Sequence, residues 1–299
     1  MSPVAMVGRF APSPTGDLHF GSLVAAVGSY LEAKSAGGIW LLRIEDIDPP
    51  REVEGSAGRI IYDLNRLGLV ADGPVLYQSS RLNAYQDAAD QLLERGLAYP
   101  CACSRKDLPE SGKYPGTCRD GIPTGKTPRS IRFLVDDGPC LFNDKLQGLV
   151  SESLADTCGD FIIKRADGLF AYQLAVVVDD HFQGVTQVVR GADLLDSSCR
   201  QICLQKALGF DSPDYMHLPV VVSEDGKKLS KRIRTDPVKH QQPVAAVSQA
   251  LHFLGQNPPQ GLSLNALWNW ALEHWNSDAI PRVRTILPDG TLSRVLHRT

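Results

Sequence analysis

The chain has 299 residues, of which 43% are apolar, and a formal net charge of −3 at pH 7. This length gives room for about two domains with packed cores, and such a balanced charge does not by itself predict a nucleic-acid partner. No apolar run approaches the roughly 20 residues of a membrane span, and the first residues lack a secretion signal, so the sequence predicts a cytoplasmic protein that does not contact membranes.

The first predicted elements are a short buried strand, a loop and a helix. An apolar run ends at Gly8, prolines exclude regular structure up to Gly16, and apolar residues recur at helical spacing after His19. In an open parallel sheet this corner lies at the carboxyl end of a strand, where ligands bind. A helix start there offers backbone N–H groups and a positive dipole to a phosphate. We therefore expect His19 and Gly21 at a phosphate site.

Two motifs in this chain resemble the signatures of class I aminoacyl-tRNA synthetases. PSPTGDLHFGS, residues 12–22, resembles the HIGH-type signature, with Ser22 in the place of its second histidine. The KMSKS-type loop has its counterpart in Lys228, Leu229, Ser230, Lys231 and Arg232. Two segments are similar to those of the glutamyl-type members, namely RFAPSPTG, which begins at Arg9, and RIEDID, which begins at Arg43. The chain is identified as a member of this family on the two motifs together, since either motif alone is weak.

The resemblance implies an ATP site, with Mg²⁺, to which both motifs contribute. His19 and Gly21 are expected to contact the phosphates, and Lys231 to neutralise the negative charge that spreads to the departing pyrophosphate. The rest of the lysine-rich loop is expected to bind ATP with it. A basic run is otherwise typical of a solvated surface loop, so this assignment depends on the resemblance.

The second predicted strand, 39–44, brings an acidic turn to the same sheet edge. A carboxylate there can hold an amino group or a ribose hydroxyl, although an acidic turn before two prolines is also typical of solvated structure. The resemblance implies that Glu45 contacts the α-amino group of a glutamate substrate. It also implies that the first motif lines the same pocket with Arg9, Phe10, Ala11, Pro12 and Ser13.

Three of the seven cysteines lie close together in a loop-rich segment that begins near residue 99. Cys101, Cys103 and Cys118 supply three soft ligands, and a cytoplasmic chain of this kind favours metal binding or buried thiols over disulfides. The spacing leaves the fourth ligand open, since a water molecule could complete the site. The resemblance implies that Tyr114 completes it and that one structural Zn²⁺ is bound.

After this inserted segment the nucleotide-binding fold is expected to return. The continuous apolar run 172–178 predicts a strand, and a further strand over 187–189 leads to Arg190. The resemblance implies that Tyr172 and Arg190 belong to the amino-acid pocket. Planar, bidentate cations suit a side-chain carboxylate, which makes Arg9 and Arg190 the candidates to bind it and disfavours glutamine as the substrate.

The resemblance and the predicted elements together imply an α/β fold: a Rossmann-type class I synthetase catalytic domain with an inserted zinc-containing subdomain of the acceptor-binding type and a short helical C-terminal tail. The first half of the nucleotide-binding domain is expected over residues 1–98 and the insertion over 99–168. The second half, with the lysine-rich loop, is expected over 169–235 and the helical tail over 236–299. Tryptophans in the tail favour a small helical core over stacking on nucleotides.

The chain ends too soon after Arg232 to hold the large anticodon-binding region of a full glutamyl-tRNA synthetase. It therefore resembles the short branch of the family that activates L-glutamate with ATP and attaches it to the queuosine base at the wobble position of tRNA(Asp). A compact enzyme that charges tRNA(Glu) at its acceptor end is the alternative within the family. A catalytically inactive RNA-binding paralogue and a small nucleotidylyltransferase are the alternatives beyond it, and the chain is expected to be a monomer.

Overall fold

The computed structural model describes residues 5–222 and 238–287, so the lysine-rich loop with Lys228, Leu229, Ser230, Lys231 and Arg232 lies outside the described residues. The strands in chain order are β1 (Val7–Phe10), β2 (Ile39–Ile44), β3 (Leu76–Tyr77), β4 (Ala98–Cys101), β5 (Ser130–Phe133), β6 (Cys140–Asp144), β7 (Gly148–Glu152), β8 (Ile162–Lys164), β9 (Gln187–Gly191), β10 (Asp214–Leu218), β11 (Val220–Val221) and β12 (Thr285–Ile286). The α-helices are α1 (Phe20–Ser35), α2 (Ser56–Arg66), α3 (Leu82–Glu94), α4 (Leu154–Thr157), α5 (Tyr172–Phe182), α6 (Leu195–Leu208), α7 (Pro243–Phe253) and α8 (Leu264–His274). Among these described helices, none has the length and apolar character needed to cross a membrane.

Parallel strand pairing organises the region of the first motif. Strands β1, β2 and β3 form one parallel sheet, with Arg9 opposite Leu41. Strands β9, β10 and β6 are also paired in parallel, and β7 extends them as the antiparallel partner of β6. The two sheets adjoin at Val7 and Thr186, where the backbone N–H of Thr186 donates to the Val7 carbonyl at 3.0 Å. The carboxyl ends of β1, β2, β9 and β10 therefore lie at one edge.

Helix α1 connects β1 to β2, as the sequence predicts, and it packs against both sheets. The apolar residues that predict it are all buried in one core: Leu23, Val24, Val27 and Leu31. Gly37 follows the end of the helix with a φ of 69°, a left-handed conformation that glycine adopts without strain. The chain can therefore reverse from the helix directly into β2.

One predicted strand is wrong, because residues 172–178 form the first turns of α5. A continuous apolar run suits either a strand buried on both faces or a helix buried on most sides, and its periodicity does not separate the two. Helix α5 is of the second kind, since it packs against α3, α6 and β8. The helical conformation also turns Asp179 and Asp180 inward, where both are buried.

The segment 99–168 contributes to two different sheets. Strands β4, β5 and β8 form an antiparallel sheet. The hairpin of β6 and β7 instead joins β10, with Tyr215 opposite Asp144. The domain boundaries after residues 98, 168 and 235 stay a prediction.

The C-terminal helices are attached to the first sheet's helices through Trp268. Its Nε1 donates to the Leu67 carbonyl at 2.8 Å, and its ring meets that of Tyr30 at a steep angle. This approach needs Gly68, where φ is 84° and a Cβ would lie 2.7 Å from the Trp268 Nε1. The tryptophan is thus part of a helical core, as predicted from the sequence.

We expect Trp268→Ala to lower the free energy of unfolding by about 3–5 kcal/mol, because the substitution removes a buried aromatic side chain and leaves a cavity. Trp270→Ala, on the same helix but only half-buried, should have a clearly smaller effect. Urea denaturation followed by circular dichroism measures both variants, and equal losses would contradict the packing role assigned to Trp268.

Candidate active site

A cavity of about 600 Å³ opens at the carboxyl ends of β1, β2, β9 and β10. It is lined by the residues predicted from the first motif and from the amino-acid pocket, namely Arg9, Phe10, Ala11, Pro12, Ser13, His19, Gly21, Glu45, Tyr172 and Arg190. The structure thus brings these residues together, whereas their individual roles stay predictions. The predicted ATP-binding residues 228–232 lie outside the described part of the chain.

The start of α1 holds the His19 ring in one orientation. His19 is the N-cap residue, and its Nδ1 accepts a hydrogen bond from the backbone N–H of Ser22 at 3.2 Å. Its Nε2 lies 2.9 Å from the Ser22 Oγ. Because Nδ1 accepts, the neutral ring carries its proton on Nε2 and donates it to the hydroxyl. The serine that replaces the second histidine of the motif therefore fixes the first one beside a helix start that favours anions.

Asp180 joins two arginines that come from neighbouring strands. Its Oδ1 accepts from Arg9 Nε at 3.2 Å and from Arg43 Nη1 at 2.7 Å. Arg43 also donates from Nη2 to Glu45 Oε1 at 3.4 Å, and all four side chains are buried. Burial acts to raise the pKa of Asp180, but the charges of Arg9 and Arg43 outweigh it and leave that pKa below its usual value. The carboxylate therefore stays ionised between two guanidinium groups.

This arrangement leaves part of Arg9 for a ligand. Asp180 accepts from Nε and from Nη2 of Arg9, and the described residues offer no acceptor to its Nη1. Since Arg9 lines the cavity, this nitrogen is placed to donate to a bound anion. On the other side of Arg43, burial raises the pKa of Glu45, an effect that the charge of Arg43 partly opposes.

The sequence motifs predict no role for Asp180 or Arg43. Arg43 lies in the buried strand β2 and is fully excluded from solvent, and a buried charge needs a partner. The sequence therefore contained one signal of a buried ion pair, which is a charged residue within an otherwise apolar strand. It could not identify the partner, because Asp180 is 137 residues away in the sequence.

The guanidinium of Arg190 is surrounded by neutral acceptors. Three hydrogen bonds of 3.0 Å or less lead to His217 Nε2, Gln201 Oε1 and Ser198 Oγ. Two longer ones, both 3.3 Å, lead to the Tyr172 hydroxyl and the Leu194 carbonyl. No carboxylate within the described ranges lies at ion-pairing distance from Arg190, so its charge has no direct partner there.

The shorter and longer bonds of Arg190 face different directions. Tyr172 and Leu194 line the cavity, whereas His217, Gln201 and Ser198 do not. The guanidinium is therefore anchored from behind by three strong contacts and held on the cavity side by two weak ones. An entering carboxylate can replace the two weak contacts without disturbing the anchor.

The cysteines predicted to bind a metal do form a buried group. The Sγ atoms of Cys101, Cys103 and Cys118 all lie within 4.8 Å of one another, with Cys103 and Cys118 3.7 Å apart. The Tyr114 hydroxyl lies 3.4 Å from the Cys101 Sγ and 3.9 Å from the Cys103 Sγ. Three thiols and a phenol at these separations match the donor set and size of a tetrahedral zinc site. None of the four lines the cavity, so such a metal would be structural.

Arg132 provides positive charge next to this cysteine group. Its Nε donates to the Cys101 Sγ at 3.3 Å, and its guanidinium lies 3.7 Å from the centre of the Tyr114 ring. Burial acts to raise the pKa of Cys101, but hydrogen bonds from Tyr114, Arg132 and the Cys103 N–H lower it to about 7. At Cys101 the environment therefore favours the thiolate form, which is the form that metals bind, whereas burial raises the pKa of Cys103.

Comparison with known proteins identifies the family. The family described as class I tRNA synthetases (E and Q), catalytic domain, matches residues 5–246. A glutamyl-Q tRNA(Asp) synthetase from Dechloromonas aromatica is 53% identical over 292 residues, which cover 94% of this chain and 97% of the relative. A protein of the same name from Pseudomonas aeruginosa is 50% identical over 290 residues, or 96% of this chain and 98% of the relative.

Solved structures agree with this assignment. A glutamate-tRNA synthetase from Elizabethkingia anophelis superimposes with a TM-score of 0.78 at 28% identity, covering 94% of this chain and 67% of that protein. A glutamate tRNA ligase from Elizabethkingia meningosepticum, in complex with its amino acid, gives a TM-score of 0.79 at 27% identity, covering 94% of this chain and 66% of that one. The chain therefore belongs to the class I tRNA synthetases of the glutamate and glutamine type and, within them, to the glutamyl-Q tRNA(Asp) synthetases.

Proposed function

We propose that this chain activates L-glutamate with ATP to glutamyl-adenylate and transfers the glutamate to the queuosine base in the anticodon of tRNA(Asp). Relatives of this name that match nearly the full chain support the reaction and the RNA substrate. The observation that carries the choice of amino acid is Arg190, a buried guanidinium without a direct carboxylate partner among the described residues. A ligand carboxylate is the group that supplies the missing counter-charge.

In this proposal the side-chain carboxylate of glutamate binds Arg190 and Arg9, and its α-amino group binds Glu45. The carboxylate replaces the two weak contacts of Arg190 on the cavity side, and the Tyr172 hydroxyl then borders the ligand. Phe10, Ala11, Pro12 and Ser13 form the adjoining wall. Glutamine is neutral at this position, so it loses the charge-assisted hydrogen bonds to both guanidinium groups.

ATP with Mg²⁺ binds on the side of the cavity next to α1. His19 and the backbone N–H groups near Gly21 contact the phosphates, and Lys231 neutralises the departing pyrophosphate. The neighbouring residues Lys228, Leu229, Ser230 and Arg232 bind ATP with it. The α-carboxylate of glutamate attacks the α-phosphorus and pyrophosphate leaves; an RNA hydroxyl then attacks the mixed anhydride and AMP leaves. Both steps need positioning and charge stabilisation rather than a protein nucleophile.

We also propose that Cys101, Cys103, Tyr114 and Cys118 hold one structural Zn²⁺. The buried, closely spaced donors support this assignment. When bound, the ion crosslinks a segment that has little regular structure between β4 and β5 and so stabilises it. We further propose that the enzyme is a monomer located in the cytoplasm, as expected from the sequence.

Glutamate transfer with three separate RNAs tests the proposed reaction. Purified protein is incubated with ATP, radiolabelled glutamate and either tRNA(Asp) with queuosine, tRNA(Asp) without it, or tRNA(Glu). We expect label only on the RNA that carries queuosine, because that base supplies the acceptor. Label on tRNA(Glu) would identify an acceptor-charging synthetase, and no label or pyrophosphate exchange with any RNA would identify an inactive paralogue.

Arg190→Leu should strongly reduce glutamate activation while the chain remains folded. Removing one side of a buried charge pair costs about 2–5 kcal/mol, which corresponds to at least about a thirtyfold loss in affinity for glutamate. Glutamate-dependent ATP–pyrophosphate exchange measures the effect, and Arg200→Leu on the neighbouring helix α6 is the matched control. Undiminished exchange in Arg190→Leu would remove this arginine from the proposed pocket.

Cys103→Ser should lower both the zinc content and the thermal stability, because the variant loses one of four ligands. Cys203→Ser, which removes a half-buried thiol outside the group, should keep the metal. Metal analysis and thermal denaturation of the three proteins report the result. Wild-type protein without zinc would overturn the metal assignment.

A further inference from the structure

A buried aspartate and histidine lie directly behind Arg190. The Asp144 Oδ2 is 2.6 Å from the His217 Nδ1, and the His217 Nε2 is 3.0 Å from the Arg190 Nε. Asp144 and His217 are at most 1% exposed, and neither lines the cavity. They therefore cannot touch a substrate, but they form a continuous connection to a residue that does.

The hydrogen bonds determine which nitrogen of His217 carries the proton. Asp144 Oδ1 accepts from the backbone N–H groups of Leu146 and Gln147, at 3.0 and 2.8 Å, so the carboxylate acts only as an acceptor. Its other oxygen, Oδ2, therefore receives the proton of Nδ1, and Nε2 is left bare. A bare Nε2 is the acceptor that the Arg190 N–H requires.

The charges around His217 agree with a neutral ring. Burial lowers the pKa of His217, the nearby charge of Arg190 lowers it further, and the hydrogen bond to Asp144 acts in the opposite direction. Burial acts to raise the pKa of Asp144, yet the hydrogen bonds from His217 and from backbone N–H groups leave it lowered. The pair is thus a carboxylate and a neutral imidazole.

We propose that Asp144 and His217 are positioning residues that fix the Arg190 guanidinium in the orientation that binds the side-chain carboxylate of glutamate. This inference rests on the proposed function, in which Arg190 contacts that carboxylate. His217 occupies the Nε side of the guanidinium, while Ser198 and Gln201 occupy one hydrogen on each terminal nitrogen. The remaining hydrogen on each terminal nitrogen makes a weak bond toward the cavity, so the pair directs the two exchangeable donors at the ligand.

Asp144→Asn tests the inference through a change of tautomer. The backbone N–H groups of Leu146 and Gln147, together with that of His217 at 3.2 Å, donate to Oδ1 and keep the amide oxygen of Asn there. The NH₂ group then replaces Oδ2, where it loses the second contact of the His217 N–H at 3.1 Å and donates to His217 Nδ1. The imidazole proton then moves to Nε2 and faces the Arg190 N–H, as in other sites where an amide replaces a carboxylate and selects the wrong tautomer. Arg190 loses its acceptor without any change in the size of the side chain.

We expect Asp144→Asn to raise the KM for glutamate in ATP–pyrophosphate exchange at least about tenfold, with a much smaller change in kcat, because the glutamate-binding contact is misaligned. The ¹⁵N chemical shifts of the His217 ring should show the proton moving from Nδ1 to Nε2. Asp160→Asn is the control, since Asp160 is an equally buried carboxylate that accepts a backbone N–H and lies away from the cavity. It should lower stability but leave the KM for glutamate unchanged.

A second variant separates positioning from folding. In a His217→Gln background, Asp144→Asn should raise the KM no further, because Asp144 acts through the ring that is now absent. If Asp144→Asn does not fold, His217→Gln alone tests the positioning role. Its KM for glutamate should also rise. A wild-type KM in these variants would refute the positioning role, whereas a wild-type protein without glutamate-dependent exchange would refute the proposed function instead.

Discussion

The candidate site depends on the ion pairs that the buried carboxylate of Asp180 makes. It is buried between the guanidinium groups of Arg9 and Arg43, which come from β1 and β2. Each of these charges would cost several kcal/mol to bury alone, so the three side chains stabilise one another in a single arrangement. Arg43 extends this arrangement to Glu45. The cation proposed for the substrate carboxylate and the anion proposed for its amino group are thus held by one network.

Arg190 is held in a different way, and the difference has an electrostatic consequence. Arg9 contacts a carboxylate of the protein, whereas Arg190 contacts neutral acceptors and keeps an uncompensated charge at the cavity wall. Neutral acceptors fix the direction of the guanidinium without weakening its attraction for an anion. A site prepared in this manner loses little conformational freedom when a carboxylate binds. The neutral acceptors therefore fix the orientation of Arg190, while the guanidinium itself supplies the positive charge.

The part of the site that lies within short motifs could be predicted from the sequence, and the part that depends on distant pairs could not. His19 and Glu45 follow strands whose ends the apolar pattern indicates, and the three cysteines of the buried group are close together in the chain. Asp180 is 171 residues from Arg9, and no local pattern connects them. Contacts between distant parts of the chain also explain why residues 172–178 were wrongly predicted to form a strand. Only the surrounding helices show that this apolar run is buried as a helix.

The segment 99–168, predicted to be an insertion, is joined by strand pairing to a sheet that borders the cavity. Its cysteine group lies away from the cavity, whereas its strand β6 pairs with β10 and brings Asp144 to within hydrogen-bonding distance of His217. Without β6, the edge of β10 would be unpaired on that side and His217 would lose the carboxylate that determines its tautomer. If Asp144 and His217 position Arg190 as proposed, this segment is needed to form the amino-acid pocket. Asp144 does not line the cavity, but it connects the segment to Arg190, which does, through His217.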